Sequence, residues 1–215
     1  MGRINKSRVN IANLEKLLNA FDKKISVRVG IIGDKAYQIH EGSGLTNAEL
    51  GAVHEFGATI NHPGGTPYKI KENGQAQFVK KGEGVNLPTT KPHTIEIPAR
   101  AFLRDSILSA KGKRNITKRV EERAKEKDLE FSKDMLVNKV AYQNDKNLDK
   151  ILLDFADLVG FAAWEEVNNA FEDDKIKPPT KPVSKQKRKY NPNNPTLVDT
   201  GQLQRSISYE VKENK

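Results

Sequence analysis

Three groups of residues in this chain have types and spacing that could do chemistry. Leu197-Val198-Asp199-Thr200-Gly201 is two apolar residues followed by Asp-Thr-Gly, the way an aspartic protease presents its carboxylate. A homodimeric protease needs only one copy per chain to bring two acids together. Only fourteen residues follow Gly201, however, and they leave no room to encode the flap and apolar strands that support such a dyad. The structural reading is that Asp199 or Thr200 caps a turn beginning at Gly201. His54-Glu55 resembles the start of a helical zinc-protease motif, but that chemistry needs a second histidine one turn later, and position 58 is alanine. His40, His54, His62 and His93 show no ligand spacing, so no metal, cofactor or catalytic residue is expected. Glu55 and Arg100 read instead as a structural or inter-subunit ion pair, since the planar fork of arginine can hold a carboxylate bidentately, or else as independently solvated side chains.

The third group is basic. Between residues 175 and 195 stand Lys175, Lys177, Lys181, Lys185, Lys187, Arg188 and Lys189, with no acid and five prolines. Such a segment cannot bury enough apolar area to offset its ordering entropy, so it reads as an extended arm ordered by partners. Phosphate contacts from it would be sequence-blind and salt-dependent, and with no aromatic before Tyr190 a stacking platform for single strands is poorly supported. An acidic protein surface or an unengaged linker is favoured over DNA.

The elements that would position these groups can be read in turn. Thr46 and Glu49 form a capping box, and Leu45 and Leu50 stand at the spacing of a hydrophobic staple. Leu50, Val53 and Phe56 then recur at helical spacing, and Gly57 follows where a left-handed cap is wanted. Tyr68, Ile70, Ala76 and Phe78 flank Asn73-Gly74, which suits a type I′ hairpin. Thr94 to Ile97 reads as a strand that stops at Pro98, with Phe102, Leu103 and Ile107 giving the next helix its apolar face.

Further along the chain, Val9 to Phe21 has helical periodicity. Ile25, Val27, Val29 and Ile31 alternate as a half-buried strand, and residues 34 to 44 read as a loop. Residues 114 to 144 read as a solvated helix with one docked stripe that includes Ile116, Val120 and Ala124, favoured over a DNA-binding helix because acids interrupt its positive charge. Leu148 to Phe171 carries a wide apolar stripe and reads as a central core helix. Ile207, Tyr209 and Val211 alternate in a closing strand.

The expected fold is therefore α+β. A small, mainly antiparallel sheet from residues 25 to 32, 67 to 80, 94 to 98 and 206 to 212 is packed by the N-terminal helix and the long helix at 147 to 171. The core spans residues 1 to 174, with a projecting hairpin inserted at about 62 to 93 and a helical segment at 114 to 171. The basic extended arm covers 175 to 195, and residues 196 to 215 are a turn and strand returning to the core sheet.

Composition sets the bounds. The chain has 215 residues, enough to bury roughly 70% of its unfolded surface. Cysteine is absent, which excludes disulfides and thiolate metal sites. No run of about 18 apolar residues occurs and the start lacks a signal-peptide core, so the chain is expected to be soluble, unsecreted and without a membrane partner. The net charge of +9 favours anionic partners without choosing among them.

Four motifs in order carry a resemblance: Glu49 to Gly57 (ELGAVHEFG), Gly65-Thr66-Pro67-Tyr68, Lys91 to Arg100 (KPHTIEIPAR) and Leu197 to Ile207 (LVDTGQLQRSI). Together they resemble the virion morphogenesis family of tailed bacteriophages, which groups the tail completion proteins of P2-like phages with Mu-type relatives. The chain departs from that pattern at Ala101, where the family usually carries a second proline, and at Thr196, where it more often has proline. The resemblance implies a non-enzymatic virion protein that completes the tail and joins it to the head, made in the host bacterial cytoplasm. By analogy with tail terminators and neck proteins it would work as a ring, expected to be a hexamer, against the tail tube, sheath or connector. A nucleic-acid-binding or DNA-packaging accessory protein using the basic arm is the alternative that the charge suggests.

Overall fold

A computed structural model of the chain describes residues 25–80, 86–126, 145–181 and 193–213. Within these, strand β1 (Ile25–Ile31) leads through a single helical turn, α1 (Asp34–Tyr37), to α2 (Asn47–Phe56). Strands β2 (Ala58–His62), β3 (Tyr68–Ile70), β4 (Ala76–Phe78) and β5 (His93–Ile97) follow. Then come α3 (Arg104–Leu108), α4 (Ala110–Glu126), α5 (Asp145–Glu172), α6 (Gln202–Ser206) and β6 (Ile207–Glu213). The fold is α+β. The expected N-terminal helix at residues 9 to 22 lies outside the described residues, as do residues 127 to 144.

At 28 residues and 1.5 Å per residue, α5 is on the order of 40 Å long, and three layers dock on it. Leu152 and Ala156 pack beneath Ile25, Val27 and Val211 of the β1–β6 pair. Leu158 and Ala162 meet Val120, Ile116 and Ala124 of α4, which is the docked stripe that periodicity predicts there. Val167 and Phe171 join Phe102, Ile176 and Ile207 at the C-terminal end, with the Phe102 and Phe171 rings edge to face at 5.3 Å. The helix is apolar on more than one side because it is covered on more than one side.

β1 and β6 pair antiparallel, Ile31 opposite Ile207 and Val27 opposite Val211. Tyr209 crosses α5 where Gly160 leaves space, since a Cβ there would come within 2.4 Å of the ring. The Tyr209 hydroxyl donates to Asp157 at 2.9 Å, and Trp164 Nε1 donates to the Ile207 carbonyl at 3.1 Å.

The expected single sheet is a correction. Among the described residues there are three two-stranded sheets, β1–β6, β2–β5 and β3–β4. Only the first lies on the core. The other two form an arm: β2 pairs with β5 from Ala58↔Ile97 to His62↔His93, Gly65 N donates to Thr90 O at 2.8 Å, and the β3–β4 hairpin lies beyond. Strand β2 is not read from the sequence because Ala58-Thr59-Ile60-Asn61-His62 contains one large apolar residue. A ribbon standing in solvent needs no apolar face.

The hairpin turn also differs from expectation. Gly74 N donates to Lys71 O at 2.9 Å, and in this turn Gly74 has positive φ but Asn73 does not. This is a type I turn closed by a left-handed glycine, not type I′.

The helix expected after Pro98 starts six residues later and breaks at Ser109, whose backbone is extended. At the start of the basic stretch, Ile176 is buried in the core, so the segment is docked where it begins. Residues 182 to 192 lie outside the described residues. Among the described residues no helix is long and apolar enough to cross a membrane.

Core and arm should respond differently to truncation. Phe102→Ala is expected to lower the unfolding free energy by about 3–5 kcal/mol in a denaturant titration. Phe78→Ala on the arm should change it by no more than about 0.5 kcal/mol. Equal losses would mean that the arm packs on the body.

Candidate functional site

The site is built on α2. Its capping box is present as read, with Glu49 N donating to Thr46 Oγ1 at 3.2 Å and Thr46 N to Glu49 Oε2 at 2.8 Å. That hydrogen bonding from Thr46 holds the Glu49 carboxyl below its ordinary pKa. The face turned inward is nevertheless not the one the apolar spacing suggests. Asn47, Gly51 and Glu55, at i, i+4 and i+8, are buried, while Phe56 is 71% exposed. The tertiary contacts explain this choice.

Asn47, 1% exposed, donates through Nδ2 to the Lys35 carbonyl at 2.9 Å and accepts at Oδ1 from Gln202 Nε2 at 3.2 Å. The same oxygen lies 3.0 Å from His40 Nδ1, which must carry the proton because a carboxamide oxygen can only accept. Gln202 Nε2 also donates to the Ile39 carbonyl, and Gln202 Oε1 accepts from Glu41 N, so one side chain fastens the loop before α2 to α6. Gly51 allows Ile31 to press on the helix, since a Cβ there would meet Ile31 Cδ1 at 2.3 Å.

Glu55, 6% exposed, ends the series. Its Oε2 accepts from Leu103 N at 2.9 Å and its Oε1 from Arg104 N at 3.0 Å, two backbone donors at the start of α3. The chain has just returned from the arm, and Arg100 N donates to the His54 carbonyl at 2.6 Å. Between these feet Gly57 adopts φ 76°. A side chain there would meet Ile97 O and Ala99 N at 2.9 Å, so only glycine lets α2 turn directly into β2.

Both members of the expected Glu55–Arg100 pair are thus buried and bonded to backbone. The Arg100 Nε donates to the Pro178 carbonyl at 2.8 Å, tying the start of the basic segment to the arm's foot. Thr196, fully buried, holds the far end of that segment. Its N–H donates to Asp174 Oδ1 at 2.5 Å and its hydroxyl accepts from Thr180 N at 3.3 Å, neither of which a proline could do at this position.

In the Asp-Thr-Gly motif the N-cap of α6 is Gly201, left-handed at φ 74°, ψ 3° and without a side-chain cap, so neither Asp199 nor Thr200 caps the helix. Thr200 Oγ1, one residue earlier, accepts from Gln202 N at 3.1 Å and closes the turn. Asp199 does not cap. Its carbonyl accepts from Asn194 Nδ2, and its Oδ1 is buried without a hydrogen-bond partner. The residues after Gly201 form α6 and β6 and complete the core.

A cavity of about 280 Å³ lies where these segments meet. His40, His54, Arg100, Thr180, Asp199 and Thr200 line it, drawn from four distant parts of the sequence. His54 Nδ1, like Asp199 Oδ1, is buried without a partner. Burial, with the Arg100 guanidinium and then His40 adding positive charge, pushes the His54 imidazole down to about 4, so it is neutral at pH 7.

Since neither orphan atom has a partner, they are not bonded to each other and no hydroxyl is bonded to His54 Nδ1. Asp199 is the only carboxylate in the lining. Among the described residues the lining thus offers unmet hydrogen-bonding groups to a guest. Among the described residues no group of three potential metal ligands is close enough to hold an ion.

Sequence reading singles out Arg100, Asp199, Thr200 and Gly201, and the structure gathers them around this cavity. Glu55 faces away from it, into the cap of α3. His40, Asn47, Gln202 and Thr180 complete the site and leave no local signal. Lys181 is exposed in an open groove beside Phe56 at the arm's base. Lys185, Lys187, Arg188 and Lys189 lie outside the described residues. No family model, curated protein or solved structure matches the chain.

Two measurements test this geometry. Glu55→Ala strands two backbone donors and is expected to cost about 1–3 kcal/mol for each donor left unmet, read from denaturant midpoints. For His54, the unfolded chain binds a proton near pH 6.5 and the folded chain only near 4, so stability is flat above 6.5 and falls as pH drops between them. The slope should reach at most about 1.4 kcal/mol per pH unit. His54→Gln should flatten that window relative to the parent chain, and an unchanged slope would show that His54 is not held neutral by the fold.

Proposed function

We propose that this chain is a non-enzymatic structural protein of a tailed-phage virion, acting in tail completion and head–tail joining, and that it works as a ring of identical subunits, six in the family analogy. The observation that carries the reading is the arm. Over the described residues 58–80 and 86–97 the chain leaves the body as the β2–β5 and β3–β4 ribbons. Residues 88–90 bond alongside the start of β3, no further strand joins either ribbon among the described residues, and the Ile60, Ile70, Phe78 and Ile95 side chains are exposed. Unpaired strand edges and clustered apolar side chains are costly to leave in water, and both are what an intersubunit contact covers. An arm reaching from one subunit to the next is a heterologous contact, and repetition of such a contact closes a ring when the rotation allows.

The four sequence motifs support the phage assignment, and the site geometry agrees with it. Glu55, Gly57 and Arg100 of the first and third motifs hold the two feet of the arm together, which supports a role in assembly. Duplex DNA as the main partner is less well supported. On α4, Arg119 is tied to Glu165 and Glu166, and Arg123 to Glu165, so that part of the positive charge is spent inside the molecule.

Replacing residues 66–89 with a short turn should leave the melting temperature of the body within a few degrees while abolishing self-association in light scattering. In negative-stain images, particles made without the protein should show heads and tails accumulating separately. Normally joined virions, or tight retention on duplex DNA with a steep salt dependence, would overturn the assignment.

A further inference from the structure

Buried polar atoms in folded proteins almost always have partners, and a buried carboxylate oxygen without one is costly. The cavity between α2, Arg100 and the Asp-Thr-Gly turn holds two such atoms, Asp199 Oδ1 and His54 Nδ1. At about 280 Å³ it has room for one or two side chains, and its carboxylate asks for an N–H donor.

The same molecule displays a concentration of such donors. At the arm's tip Lys69, Lys71, Asn73, Gln75 and Gln77 are all exposed, with Glu72 the only acid among them. A tip is not offered to its own cavity. The arm starts at the cavity wall, where Arg100 follows β5, and the five rungs of β2–β5 alone carry the chain roughly 17 Å away at about 3.3 Å per residue.

We propose that the hairpin tip of one copy docks at this cavity in a second copy, with a lysine ammonium or a side-chain amide from the tip donating to Asp199. The inference rests on the ring reading above and names the two surfaces that meet. The arm supplies the donors and the exposed apolar residues, and the neighbour supplies the unmet carboxylate. Each subunit carries both halves of the contact, as a head-to-tail ring requires. It also gives Asp199 a reason to hold its Oδ1 where it meets no donor within its own chain.

The chain has no cysteine, so paired replacements report the contact directly. Gln75→Cys is combined with Thr200→Cys, and separately with Leu50→Cys on another part of the cavity wall. A third pair with Lys118→Cys, exposed on α4, is the control. Under mild oxidation the two cavity pairs should give a ladder of cross-linked multimers on a non-reducing gel, and the control pair should not. Mixing a Gln75→Cys chain with a Thr200→Cys chain should give a heterodimer, which proves that the link is between copies. Adding Asp199→Asn or Asp199→Leu should cut the cross-linked yield about tenfold or more, while circular dichroism and the melting temperature show a chain at least as stable as the parent. Oligomers in light scattering without cavity-to-tip cross-links would overturn this contact and leave the ring reading standing. A chain that stays monomeric at every concentration would remove both.

Discussion

A single buried carboxylate sets the geometry on which the arm depends. Glu55 stands at the last turn of α2, just before the chain departs, and grips the N–H groups of Leu103 and Arg104, just after it returns. An ordinary ion pair would fix two side chains, but this one fixes two stretches of main chain relative to each other. Gly57 permits the departure, the bond from Arg100 N to His54 O closes the gap, and Arg100 Nε extends the grip to Pro178. A long ribbon without its own core can hold a defined direction only if its feet do not swivel, and these bonds prevent that.

The body has a different economy. Helix α5 is enclosed by the β1–β6 pair, by α4 and by the Phe102–Phe171 cluster, so its stability comes from apolar burial on several sides. Where α4 meets α5 at the surface, Arg119 and Arg123 pair with Glu165 and Glu166, Asn115 donates to Glu166 at 2.8 Å, and Arg123 lies 4.1 Å over the Phe161 ring. Partly exposed pairs of this kind contribute little each and act mainly to fix register.

What could be read from the sequence follows from the range of the interactions. The capping box, the closing strand at Ile207 and the long helix are local signals written in consecutive residues, and all three are present. The inward face of α2 was misleading because its burial is polar. Asn47 and Glu55 are buried by partners at Lys35, Gln202, Leu103 and Arg104, none of which periodicity can see. The cavity is harder still, since His40, His54, Arg100 and Asp199 come together only through the packing of α2 against α6. Asp199 reads as a cap because Asp commonly is one, but Gly201 stands at the N-cap of α6 and no side chain caps it.

The pairing of β1 with β6 joins residues about 180 positions apart, since Ile25 lies opposite Glu213. Until residues 207–213 have left the ribosome, β1 lacks its mate and the flank of α5 beneath Tyr209 stays open. Closing so long a loop costs entropy before the pair offsets it, so the finished body, and with it the rigid footing of the arm, waits on that one distant contact.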